Sequence, residues 1–146
     1  MFNKIVVGTD GSEHGRRAVE AAVKIAAGNP EAELHVVMAY HPMTAQELAQ
    51  TVAMLPDDYR NVLHAHYPAE DTLERARMTA QADGVTAHLH EVDEDPTDAL
   101  VGLAENIDAD LLVVGSRGEG LAKRVMHGSV STKVLHHAPC SVLVVL

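Results

Sequence analysis

The stretch with the most chemical content opens with Gly115-Ser116-Arg117-Gly118 and resumes nine residues later with Gly128-Ser129-Val130-Ser131. Without a Cβ, Gly115 and Gly118 would let the backbone approach a ligand and take left-handed conformations that aim successive N–H groups at an anion. Gly128-Ser129 falls where a helix is expected to begin, and the unpaired N–H groups and dipole of a helix N-terminus favour phosphate. The Ser129 and Ser131 hydroxyls can add donors. Glycine-rich turns and serine caps are also ordinary structural devices. It is the whole spacing that favours phosphate binding.

Charge agrees with that reading. The 146 residues have a formal net charge of −10, yet between Gly115 and Lys133 four basic residues (Arg117, Lys123, Arg124, Lys133) face one acid, Glu119. A locally basic segment in an acidic chain suits a small anion. The acidic remainder argues against nucleic acid or an anionic membrane as partner, since both need a basic footprint.

Competing phosphate signatures are absent. No Gly-x-x-x-x-Gly-Lys-Ser/Thr occurs, and Gly118-Glu119-Gly120 lacks the third glycine of a dinucleotide fingerprint. With 3% aromatics there is little to sandwich a flavin. Ten histidines, with pairs at His64/His66, His88/His90 and His136/His137, raise a metal hypothesis. A tight site needs three or four converging ligands, so packed or solvated histidines are the expectation and no metal site is assigned. The single cysteine, Cys140, excludes an internal disulfide and is expected to be a small core or strand-edge residue.

The elements that must position these residues read as an alternating α/β chain. Lys4–Gly8 and Leu111–Val114 are short continuous apolar runs, as expected of strands buried on both faces. After the first, Thr9-Asp10-Gly11-Ser12 turns the chain, and Ser12 caps a helix with the stripe Ala18, Ala22, Ile25 and Ala26. Leu34–Ala39 is a second strand, and the short joints imply parallel, right-handed crossovers. Residues 40 to 67 are cut by prolines, with a helical stripe around Leu48, Val52 and Leu55. Pro68 opens a helix carrying Leu73, Ala76 and Ala80 that ends at Gly84. Val85–Val92 mixes polar with apolar residues and is expected nearer a sheet edge. Asp95-Pro96 starts a helix with the stripe Ala99, Leu100, Leu103, Ala104 and Ile107, and Ser141–Leu146 is the last strand.

The expected fold is a single α/β domain over residues 1–146, an open twisted five-stranded parallel sheet with helices on both faces. In such sheets ligands bind at the carboxyl ends of strands where the winding reverses. With strand order 3-2-1-4-5, Gly8-Thr9-Asp10 and Gly115-Ser116 would border one crevice. No apolar run reaches the roughly 18 residues of a membrane span, and the N-terminal residues lack the regions of a signal peptide. A cytoplasmic location is expected.

The chain resembles the universal stress protein family over essentially its whole length. The resemblance rests on Gly8-Thr9-Asp10-Gly11-Ser12, on the Gly-x2-Gly-x9-Gly-Ser pattern of Gly115, Gly118, Gly128 and Ser129, and on the ending Ala138-Pro139-Cys140-Ser141-Val-Leu-Val-Val. It implies a five-stranded parallel sheet like that of the adenine nucleotide alpha hydrolases, and ATP binding where the motif is complete, as it is here. Carried over by position, it places Thr9, Asp10 and Val36 against adenine and ribose. Val114, Gly115 and Gly118 would line the sugar and first phosphate, and Gly128, Ser129 and Val130 the later phosphates. Mg2+ is expected only as a companion of the phosphates. The resemblance further implies a homodimer through the C-terminal strand and a protein partner whose identity is unknown.

These features predict a cytoplasmic ATP-binding stress or regulatory protein with at most slow ATP hydrolysis, since no acid or histidine in the loop has the spacing of a water-activating base. No catalytic residue is assigned. The alternatives are an adenine-nucleotide hydrolase-type enzyme, whose phosphate loop Gly8-Thr-Asp-Gly-Ser12 does not match, and an interaction module with an empty cleft.

Overall fold

A computed structural model describes residues 1–39, 45–54, 68–116 and 129–146. Five strands, β1 (Lys4–Gly8), β2 (Glu33–Ala39), β3 (Ala87–Val92), β4 (Leu111–Gly115) and β5 (Ser141–Val145), pair in the order β3-β2-β1-β4-β5. Every pairing is parallel. Among the described residues the helices are α1 (Glu13–Ala27), α2 (Ala45–Met54), α3 (Pro68–Ala82), α4 (Pro96–Asn106) and α5 (Ser129–His137). The expected sheet and its strand order are therefore found.

Alternation along the strands divides the core into two layers. Ile5, Val7, Leu34, Val36, Leu111 and Val113 face α1 and α3, which contribute Ala18, Ala22, Val23, Leu73 and Ala76. Val6, Val37, Leu112 and Val114 face α4 and α5, packing on Ala99, Leu100, Ala104 and Val134. β1 and β4 are buried on both sides because both layers cross them, which is why their sequences are continuous apolar runs. Each fully buried Val, Leu or Ile contributes about 1.5–3 kcal/mol.

The helix boundaries follow from local chemistry. Ser12 caps α1 by accepting from the Gly15 N–H at 3.1 Å, and Asp95 caps α4 by accepting from Thr97 and Asp98 N–H at 2.9 and 3.3 Å. At the end of α3 the Val85 N–H reaches the Ala80 carbonyl and the Gly84 N–H the Gln81 carbonyl, with Gly84 at φ 74°. α4 ends the same way, with Ala109 bonded to Ala104 and Asp108 to Glu105, but there the left-handed position at φ 52° is held by Asp108.

At the amino end of the sheet, Asp110 Oδ2 and Oδ1 accept from the N–H groups of Asn3 and Lys4, and Lys4 Nζ donates to the Ile107 carbonyl at 2.8 Å. These contacts fix β1 beside β4, whose register pairs Val7 with Val113. That pairing sets up the opposite, carboxyl end.

Candidate functional site

The winding reverses between β1 and β4, and their carboxyl ends lie side by side. From β1 the chain passes into a turn held by its own side chains. Thr9 N–H donates to the Val37 carbonyl at 3.0 Å, Thr9 Oγ1 accepts from Gly11 N–H at 3.3 Å, and Asp10 Oδ1 accepts from Ser12 N–H at 2.9 Å. Thr9 is buried and Asp10 exposed at the mouth. Beneath the turn lies Gly15, where a Cβ would sit 2.8 Å from Asp10 Oδ1 and 2.9 Å from Thr9 Oγ1. A larger residue there would push the turn outward.

On the β4 side, Gly115 admits a close approach, though by the protein itself. A Cβ at Gly115 would fall 2.7 Å from the backbone carbon and oxygen of His14. The first turn of α1 thus packs against the end of β4 at a distance that only glycine allows. Ser116 follows, 2% exposed, with its N–H donating to the Val145 carbonyl and its Oγ 3.2 Å from His14 Nδ1. Its carbonyl accepts from Ser131 Oγ at 3.4 Å. One residue therefore joins β4 to α1, α5 and β5.

The sequence-assigned residues are distributed unevenly around this crevice. Thr9, Asp10 and Gly115 come together at the two strand ends, and Ser129 opens α5, whose first turn carries no acidic residue. Val36 is fully buried in the layer under α1, and Val114, 3% exposed, lies in the layer under α4 and α5. Val130 is half-buried against that second layer. Ser131 is 1% exposed and bonds inward to Ser116, so its hydroxyl links helix to strand instead of serving a phosphate. Gly118 and Gly128 lie outside the described residues, as do Arg117, Lys123 and Arg124.

Sequence reasoning missed His14, Gly15 and the linking role of Ser116. Gly15 had a signal, because the buried stripe of α1 extends back through Gly15, Ala18, Val19 and Ala22. His14 and Ser116 had none, being 102 residues apart.

The start of α5 offers chemistry suited to an anion. The first N–H groups of α5 have no intrahelical acceptors, so a phosphate there would meet donors and the positive end of a dipole. Asp10 sets an exposed carboxylate at the mouth of the crevice. Among the described residues no group of three or more His, Cys, Asp or Glu converges as metal ligands. No helix among them is long and apolar enough to cross a membrane.

Comparison with known proteins agrees with the fold. The profile of the universal stress protein family matches residues 1–145. The chain is 35% identical over 145 residues to the universal stress protein Rv1636 of Mycobacterium tuberculosis, covering 99% of this chain and 96% of that one. It is 32% identical over 148 residues to the universal stress protein YxiE of Bacillus subtilis, with 99% of both chains covered. Among solved structures, a universal stress protein in complex with cAMP aligns with a TM-score of 0.72 at 35% identity, over 99% of this chain and 97% of that one. UspA from Lactobacillus plantarum aligns with a TM-score of 0.76 at 23% identity, over the same shares, a likeness of fold.

Proposed function

The chain belongs to the universal stress protein family, and from that premise we propose that it binds an adenine nucleotide, ATP foremost, in the crevice between β1 and β4. The bound nucleotide governs its association with another protein. The observation that supports this most is the placement of the Thr9-Asp10 turn beside Gly115-Ser116 where the winding reverses. In this reading Asp10 takes the ribose hydroxyls, and the start of α5, with Gly128 and Ser129, takes the phosphates. Mg2+ would be carried by phosphate oxygens and water. Hydrolysis is slow at most. The protein acts in the cytoplasm as a homodimer joined through β5.

A nucleotide with a single phosphate is the second reading. It is favoured by the relative in complex with cAMP, at 35% identity. Titration calorimetry with ATP, ADP, AMP and cAMP, together with mass spectrometry of co-purifying ligand, orders these candidates. Heat from ATP above that from AMP and cAMP supports the first reading, and the reverse order the second. Absence of heat from all four at millimolar concentration overturns both in favour of an empty interaction module. Rapid turnover of ATP with a carboxylate substrate would indicate a hydrolase-type enzyme instead.

A further inference from the structure

The β2–β3 pair carries three imidazoles. His35 lies opposite His88, and Val37 opposite His90. The His35 ring stacks against both histidines, with centroids 4.8 Å from His88 and 5.2 Å from His90 and planes within 25°. His35 Nδ1 is 3.0 Å from His90 Nε2. His35 is 8% exposed, and its Nε2 is buried without a hydrogen-bond partner. The nearby acid is Glu33, whose Oε2 is 3.7 Å from that nitrogen.

A bond between two imidazoles needs one ring to donate and the other to accept. The Glu33 carboxylate favours the proton of His35 on Nε2, which leaves Nδ1 to accept from the His90 Nε2–H. When both rings are imidazolium, each facing nitrogen carries a hydrogen. The bond then becomes a contact between donors, with like charges stacked. Glu33 can offset one of those charges. Among the described residues the groups that shift either ring are Glu33, His88 and His90, and neither α3, packed on β2 and β3, nor α4, packed on β2, supplies one.

Among the described residues β3 has a single neighbour in the sheet, β2. We infer that the His35–His88–His90 stack is an acid-sensitive latch on the β3 edge, in which neutral rings hold β3 against β2 and protonation releases it. Burial, then His88 and His90, hold His35 below its ordinary value of 6.5 against the pull of Glu33. Burial and His88 do the same to His90. A released strand returns both rings to the ordinary value, so the open form binds more protons. The latch is complete above about pH 6.5 and weakens as pH falls below it.

Hydrogen exchange on the full chain at pH 7.5 and 5.5, corrected for intrinsic rates, tests this with residues 5–7 of β1 as reference. Acidification should cost residues 87–92 about tenfold more protection than β1, the scale of one coupled proton over one pH unit. His90→Gln keeps a donor for His35 without titrating, and should reduce that difference by the part that His90 contributes, leaving the part due to burial of His35. NMR titration of the parent should place the His35 and His90 ring protons below 6.5. Parallel loss in β1 and β3, an undiminished difference in His90→Gln, or both rings titrating at 6.5 would each overturn the latch. So would a gain of β3 protection on adding ZnCl2 that His90→Gln removes, which would make the cluster a metal site.

Discussion

Ser116 Oγ lies 3.2 Å from His14 Nδ1, tying the end of β4 to the first turn of α1 at the reversal of the sheet. Both walls of the crevice are thereby set by one contact, and Gly115 makes room for it.

Replacing Gly115 with alanine should force α1 and β4 apart, because the new Cβ would meet His14 backbone atoms at 2.7 Å. A cost of about 1–3 kcal/mol is expected, as for other overpacked sites. Urea denaturation measures it. Unchanged stability would mean that the close approach is not real.

Gly128→Asp should abolish ATP binding with the fold intact, since a carboxylate would then stand where the N-terminus of α5 is proposed to meet phosphate. A loss of ~3 kcal/mol weakens binding over a hundredfold. Ser129→Ala removes one hydroxyl donor worth ~1 kcal/mol and should be milder. Calorimetry with circular dichroism as control reads both. A folded Gly128→Asp variant with parental affinity would refute the phosphate assignment.

The solution species is expected to be a homodimer. Among the described residues β5 pairs only with β4, and its outer edge presents the apolar segment Ser141–Val145, which needs a covering strand. Light scattering should return twice the chain mass at micromolar concentration. A monomer there contradicts the proposal.

Asp108→Gly should stabilise the protein by about 0.5–1 kcal/mol, because Asp108 holds a left-handed position at φ 52° that glycine occupies without penalty. Asp108 ends α4 as Gly84 ends α3, so Gly84→Ala should destabilise by a similar amount. Thermal unfolding of the two variants should shift in opposite directions. A lower melting temperature for Asp108→Gly would show that its carboxylate has a role that the strain conceals.

Much of this architecture was legible in the sequence. Ile5-Val6-Val7 and Leu111-Leu112-Val113 announce strands covered on both sides, and Ser12 and Asp95 mark helix starts by their own side-chain chemistry. Such signals are local. The relation of His14 to Ser116 depends on how α1 settles on β4, which no spacing encodes. Gly115 reads in sequence as a ligand glycine, and the close approach of the His14 backbone that also requires it is invisible there. Ser131 resembles a phosphate donor until its position on α5 turns it toward the core.

The pairing of Ile5 with Leu111 also orders events at the ribosome. At about 5–20 residues per second, roughly 5–20 s separate synthesis of the two strands. Once residues 33–39 have been made β1 can pair with β2 on one side only, and the edge destined for β4 stays open on a strand made of Ile5, Val6 and Val7. The nascent chain therefore exposes an apolar edge at the future centre of the sheet, and chaperone capture should be stronger before residue 115 emerges than after it.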